Sequence, residues 1–283
     1  MEHRVANIDK YNKEMSANIA DKAWSLEYLH RNFHFDVDTV IDFGCADGAL
    51  GKYLADSYPV FFQYIGIDIA EVLDQSTLYR GIEDIDAPQY SPINLIDGEE
   101  IQRLTKKPFI LVLNSVLHEL MTDPKSENNK TAFNILHALI SDKNCKYISI
   151  RDMHFSDKNP EGKISISTLI NFYTTLESTR PECLDAFLQF FRDRTNCSSK
   201  DWFKYLLCYD YLDNIEKEIA EKYFFDWDDA FYKIGLVTNS FATLYCENFS
   251  IPFLENKWER DFGFTNDLWC TTHRRMLLKR VEK

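Results

Sequence analysis

Val40-Ile41-Asp42-Phe43-Gly44-Cys45-Ala46-Asp47-Gly48 runs from an apolar, β-rich segment straight into small residues, and residues 49–57 continue it with helical spacing that stops before Pro59. This pattern predicts strand, tight loop, helix. Glycines placed directly after a buried strand let the backbone turn sharply and approach a ligand closely. Working outward, residues 61–71 (FFQYIGIDIAE) supply a second strand and residues 109–121 (FILVLNSVLHELM) a strong third. The unbroken apolar run of the third suits a parallel strand covered on both faces. Residues 146–155 (KYISIRDMHF) form a fourth. Strands separated by helix-length segments imply right-handed crossovers and a parallel sheet, with ligands bound beyond the strands' C-terminal ends.

On either side of this core the pattern changes. Residues 9–31 carry apolar side chains at an approximately helical spacing, so one amphipathic helix is expected before the first strand. From about 164 to 230 the alternation gives way to helical patterns rich in Leu, Phe and Tyr, read as a helical cap inserted into the sheet domain. Residues 228–236 then read as a final helix, 240–251 as a strand, and 271–281 as a closing strand able to pair antiparallel with its neighbour. The expected architecture is α/β: a Rossmann-like, mostly parallel sheet with a closing antiparallel strand, an N-terminal helix and a helical cap. With no repeat and no Pro/Gly/Ser-rich linker, residues 1–283 read as a single domain. Residues 1–35 form its N-terminal part, 36–163 and 230–283 its core, and 164–229 its cap.

Composition narrows the function classes. The chain has 283 residues, 45% of them hydrophobic, and a formal net charge of −13, which repels a phosphate backbone at long range and argues against non-specific tracking of nucleic acid. No segment approaches the roughly 20 apolar residues of a membrane span, and the N-terminus does not read as a secretory signal, so a cytoplasmic location is expected. Seven dispersed cysteines contain no C-x-x-C pair, and no metal site is expected. Arg274, Arg275, Lys279, Arg280 and Lys283 alternate with apolar residues and read as the solvated face of the last strand.

The stretch 40–48 resembles the first motif of the class I S-adenosylmethionine-dependent methyltransferases, acidic-x-Gly-x-Gly-x-Gly: Asp42, Gly44 and Gly48 match it, and Ala46 replaces the middle glycine. Its spacing fits that motif better than the dinucleotide fingerprint G-x-G-x-x-G/A. The resemblance implies S-adenosylmethionine as cofactor, held by Asp42, Gly44, Cys45, Ala46 and Gly48. It also implies a ribose grip by Asp68, followed by Ile69, at the end of the second strand. A carboxylate there accepts hydrogen bonds from both ribose hydroxyls, and a nicotinamide cofactor would use it in the same way. Asn94 and Leu95 correspond to the adenine-contacting position. Asn114 and Ser115, in a segment similar to the family's fourth motif, would lie beside the cofactor's methionine part.

His118 and Glu119 follow on that rim and are the candidate catalytic residues. An imidazole titrating near neutrality serves as a general base. Equally, His118 could hydrogen-bond a loop and Glu119 form a surface pair. Arg151, Asp152 and His154 also end a strand at the crevice, read as capping and pairing groups and as candidates for substrate contact. Tyr11, Met15 and Lys22 resemble a helical lid. Trp202, Tyr205, Tyr209, Tyr211, Tyr223, Phe224, Phe225 and Trp227 read as the core of the cap or as an acceptor pocket, and the carboxylates of 213–229 mostly as a solvated face. The acceptor is expected to be a small molecule, with RNA, peptide and protein open. A nicotinamide-dependent oxidoreductase and a catalytically silent binding protein are the competing readings.

Overall fold

The computed structural model describes residues 19–32, 36–37, 39–57, 63–69, 73, 89–93, 96–156, 164–191, 197–209, 215–236, 240–262 and 271–281. Tyr11, Met15, Asn94, Leu95, Tyr211, Asp213 and Lys283 therefore lie outside the described residues. The chain divides into two compact units, the first comprising Met1–Asp152, Asp226–Cys246 and Arg275–Lys283, the second Met153–Phe225 and Glu247–Arg274.

The first unit opens with α1 (Ile19–Lys22) and α2 (Trp24–Asn32), a helical stretch interrupted at Ala23. Then follow β1 (Thr39–Phe43), α3 (Ala49–Ser57), β2 (Gln63–Asp68), β3 (Gln89–Pro92), α4 (Gly98–Leu104), β4 (Phe109–Asn114), α5 (Leu117–Thr122), α6 (Glu127–Ser141) and β5 (Cys145–Ser156). β1 and β4 are buried along their whole length, as their unbroken apolar runs require. β3 begins just after Pro88, ends on Pro92 and pairs with β2 from Ile65↔Gln89 to Asp68↔Pro92. Pro92 is tolerable there because β3 is the edge of the sheet among the described residues.

In the second unit, α7 (Ile166–Thr179), α8 (Leu184–Phe191), α9 (Ser199–Cys208) and α10 (Ile215–Ala220) precede α11 (Trp227–Lys233), which belongs to the first. β6 (Phe241–Phe249), α12 (Pro252–Phe262) and β7 (Thr271–Arg280) complete the chain. The helix at 227–233 is thus not the last. α12 was hidden by its many charged residues, yet its Trp258 is fully buried and donates from Nε1 to the Leu206 carbonyl at 2.8 Å. Trp202, Tyr205, Tyr209, Tyr223 and Phe224 pack with Phe172, Phe187 and Phe190 in this unit's core. Trp227 instead packs edge-on to Phe231 in the first unit. Among the carboxylates expected on a solvated face, Glu221 is buried and paired with Lys217 at 3.1 Å.

One seven-stranded sheet runs β3-β2-β1-β4-β5-β7-β6, with β1 to β5 paired in parallel. β7 runs the other way. Arg280 near its end donates to the Cys145 carbonyl at the start of β5, Arg274 near its start meets His154 near the end of β5, and Val281 N–H donates to Ser240 O beside the start of β6. The fold is Rossmann-like, with a closing antiparallel strand.

The basic side chains of β7 are half-buried and partnered, not a solvated face. Arg280 also donates to the carbonyls of Asp142 (2.8 Å) and Ile140 (2.5 Å), capping α6 where its dipole is negative. Arg275 covers the rings of Trp24 and Tyr245, and Lys279 that of Tyr147.

Candidate functional site

β1 is the strand from which the chain first winds outward through β2 to β3 and then returns on its other side to β4 and β5. The order reverses between β1 and β4, and the loops leaving these strands frame the crevice where such sheets bind ligands. Gly44 to Gly48 leave β1 through three left-handed residues, Gly44 (φ 80°), Ala46 (φ 50°) and Gly48 (φ 75°). The N–H groups of Gly44 and Cys45 both donate to Ile67 O, at 2.7 and 3.2 Å, and Gly48 N–H closes the turn on Cys45 O at 3.0 Å. A Cβ on Gly44 would lie 2.8 Å from Val116 Cγ2, so the two loops at the reversal point touch where glycine leaves room.

Ala46 follows the left-handed path of the glycine it replaces. Alanine there costs about 1–2 kcal/mol, against roughly 0.4–1 kcal/mol of extra chain entropy that glycine loses on folding. Ala46→Gly is therefore expected to stabilise the protein by about 0.5–1 kcal/mol, measured as a raised urea midpoint with unchanged slope. An unchanged or lowered midpoint would contradict the left-handed assignment.

Asp68 ends β2 and reaches back to this loop. Its Oδ2 accepts from Ala46 N–H at 2.8 Å and its Oδ1 from Ile69 N–H at 2.7 Å. The carboxylate remains partly exposed.

Asp42 is buried inside β1 rather than in the loop, and its Oδ2 accepts from the Tyr64 hydroxyl at 2.6 Å. Burial pushes its carboxyl up to about 6, with the Tyr64 hydrogen bond and Lys22 pulling downward. Tyr64 lies flat against α3 because Gly51 has no side chain. A Cβ there would stand 2.6 Å from the ring. Burial raises the Cys45 thiol well above its usual range, which keeps it a core group beneath the loop.

Across the crevice, Asn114 ends β4 and is paired in register with Arg151 of β5. Asn114 Nδ2 donates to the Lys22 carbonyl at 3.3 Å, which fixes the amide's orientation, and its buried Oδ1 has no partner among the described residues. Ser115 turns the chain with φ 55°, its N–H donating to Arg151 O at 2.7 Å. Arg151 is buried and donates from Nε and Nη2 to Asp21 Oδ2, at 2.9 and 2.6 Å. Arg275 stands 3.6 Å from the other oxygen of Asp21.

His118, in the first turn of α5, is buried, and its Nδ1 lies 2.8 Å from Asp152 Oδ1. The fully buried Asp152 accepts through Oδ2 from the backbone N–H groups of Leu117 (2.7 Å) and His118 (3.4 Å). One carboxylate thus caps α5 and holds the imidazole. A carboxylate can only accept, so toward it Nδ1 is the donor, and in the neutral imidazole Nε2 then carries the lone pair. Glu119 is half-buried on the next position.

His154 lies in the second unit, where Arg274 donates to its Nε2 at 2.8 Å. Burial and that guanidinium drive its pKa down to about 4. Of the sequence candidates, Gly44, Cys45, Ala46, Gly48, Asp68 and Ile69 meet on one side of the reversal point, and Asn114, Ser115, His118 and Glu119 follow β4 on the other. Sequence reasoning missed Tyr64, Gly51 and the Asp21–Arg151 pair. It read Asp152 as a capping or pairing group and a candidate for substrate contact, and did not connect it with His118, although alternation along β5 places it two residues beyond the buried Ile150 on the same face. Among the described residues there is no cluster of three metal-binding side chains and no helix long and apolar enough to cross a membrane.

No protein-family model and no curated protein matches the chain. Among solved structures it is similar to that of the plantazolicin methyltransferase BpumL in complex with SAH, at 12% identity over 97% of this chain and 88% of that one, with a TM-score of 0.46. The mitomycin 7-O-methyltransferase MmcR shows 13% identity over 96% of this chain and 56% of that one, TM-score 0.45. The MccD protein shows 10% identity over 91% and 96%, TM-score 0.44.

Proposed function

We propose that the chain is an S-adenosylmethionine-dependent methyltransferase acting on a small molecule, with the second unit inserted in sequence into the cofactor-binding one. The observation that carries this reading is the left-handed loop Gly44–Gly48 at the reversal of strand order, with Asp68 bonded to its middle residue. The residues present fit the cofactor. Gly44 allows close approach, Asp68 presents a partly exposed carboxylate to ribose hydroxyls, and the orphaned Oδ1 of Asn114 is an acceptor suited to an ammonium group. Ile69 and Ser115 supply backbone beside these groups, while Asn94 and Leu95 keep the adenine-contacting role as an expectation from sequence.

S-adenosylmethionine, when bound, supplies a methyl group already activated on a sulfonium. The chain's contribution is to align the acceptor's lone pair with that methyl group and to exclude water. With Nδ1–H held by Asp152, His118 has Nε2 as its basic nitrogen, able to take the proton of a hydroxyl or amine acceptor. Glu119 is the second candidate for that role.

Thermal unfolding with S-adenosylmethionine, S-adenosylhomocysteine or NAD tests the cofactor assignment. At a hundredfold excess over the dissociation constant, binding adds about 2.7 kcal/mol, a rise in midpoint of roughly 5 °C or more for a chain of this size. The two sulfur nucleosides are expected to give that rise in the wild type and not in Asp68→Ala. A rise with NAD alone makes the protein an oxidoreductase candidate, and no rise with any of the three favours a silent binding protein.

A further inference from the structure

α7 turns Leu169, Phe172, Tyr173 and Leu176 into the core of the second unit. Its outer face differs from those of other surface helices. α3, α4 and α6 carry ion pairs there, Lys52 with Asp56, Arg103 with Glu100 and Lys130 with Glu127. α7 is 14 residues long and Glu177 is its one charged residue, in a chain of which 27% is charged. The row Ile166, Ile170, Thr174 and Ser178, one residue in every four, is exposed from end to end, with Ile166 74% and Ile170 59% exposed.

The hydroxyls of this row are turned onto the helix itself. Thr174 Oγ1 donates to Ile170 O at 3.0 Å and Ser178 Oγ to Thr175 O at 2.8 Å. Covering the face therefore takes few hydrogen bonds from water, whereas leaving it open keeps two isoleucines wet. Two further exposed apolar side chains, Leu188 and Phe253, stand on α8 and α12, both of which pack against α7.

Charge selects the occupant. A basic protein finds a single carboxylate on α7 and a nucleic acid finds no cation. Two copies of this chain, each at −13, repel over most of their surfaces and approach with least opposition where neither bears charge. The row also complements itself, being bulky at Ile166 and Ile170 and small at Thr174 and Ser178. Laid antiparallel about an axis between Ile170 and Thr174, each isoleucine of one copy covers a hydroxyl residue of the other. The same arrangement brings Glu177, in the last turn, to the first turn of the opposite helix, where the dipole favours an anion. A parallel pairing would set the two Glu177 side chains against each other.

We propose that the outer face of α7 pairs with the same face of a second copy of this chain, forming an antiparallel two-fold dimer. The pairing does not rest on the cofactor reading. A helix about 21 Å long, even joined by Leu188 and Phe253 on its neighbours, makes an interface at the small end of the specific range, so the dimer is reversible, with a dissociation constant on the order of 10 μM.

Sedimentation of the full chain, over concentrations spanning that value, tests the pairing. Wild type is expected to pass from monomer to dimer as concentration rises. Ile170→Glu sets two like charges beside the axis and is expected to raise the dissociation constant at least about tenfold. Because Ile170 is exposed, the urea midpoint of the dilute variant stays that of wild type, which separates lost pairing from lost folding. Thr174→Phe adds apolar area but fills the space that the opposite Ile170 needs, and is expected to weaken the dimer as well. Glu177→Gln is expected to weaken it roughly 3- to 30-fold, since symmetry removes two contacts with helix N-termini. A wild type that stays monomeric throughout overturns the proposal and leaves the face to a different partner. A dimer that Ile170→Glu leaves intact places the interface elsewhere. Tighter association of Thr174→Phe or of Glu177→Gln overturns the antiparallel pairing in favour of indiscriminate apolar contact.

Discussion

Asp152→Ala is expected to lower the unfolding free energy by about 3–5 kcal/mol, because it orphans a buried imidazole N–H and a buried backbone N–H, each costing about 1–3 kcal/mol, and loses a third, longer bond as well. On heating, this corresponds to a drop on the order of 10 °C for a chain of this length. Asp152→Asn keeps one acceptor oxygen and is expected to lose less than half as much. Its amide keeps the oxygen for the α5 backbone and turns its NH2 to His118, so the imidazole keeps a partner only as an acceptor at Nδ1, with its proton moved to Nε2. Urea unfolding of both variants, with the His118 ring nitrogens followed by NMR, separates the cap from the orientation of the imidazole. A loss below about 1 kcal/mol for the alanine variant would mean that Asp152 is not the shared acceptor of these groups.

Gly44→Ala is expected to cost about 3 kcal/mol from two sources, about 1–2 for a left-handed alanine and about 1–3 for overpacking against Val116. The added methyl would lie 2.8 Å from Val116 Cγ2 and 3.0 Å from its Cβ, so the β4 loop or the glycine loop must move. Combining Gly44→Ala with Val116→Ala relieves the contact and leaves the conformational cost. The double variant should therefore be more stable than the two single losses predict when added, a non-additivity expected of groups in contact. Strict additivity would place the two loops apart.

The elements that frame the crevice were legible in the sequence because each is signalled locally. Val40 to Phe43 is an apolar run ended by glycine, and Phe109 to Leu113 is apolar without interruption. Gly44 and Gly48 mark left-handed positions that other residues disfavour, and Ala46 followed its neighbours. What stayed hidden depends on register and on partners far apart in the chain. Tyr64 finds Asp42 because β2 lies beside β1 with Val40 opposite it, and because Gly51 on α3 leaves space for its ring. No periodicity in 51–64 announces that fit. Asp152 and His118 stand 34 residues apart and meet only once β5 is laid against β4. The basic side chains of β7 looked solvated because they alternate with apolar residues, whereas their partners, His154, the Cys145 carbonyl and the rings of Trp24 and Tyr147, come from distant parts of the chain. α12 escaped for the opposite reason: its charged residues mask a fully buried Trp258.

The bond from Ala46 N–H to Asp68 bears on how fast the crevice fills. With that amide held by the next strand, and the Gly44 and Cys45 amides held by Ile67, the turn is set before any encounter. A ligand arriving there does not first have to order the loop, so little of its binding free energy is lost to fixing backbone. Its arrival is then set by diffusion into the crevice, and differences among related ligands are carried mainly by their residence times.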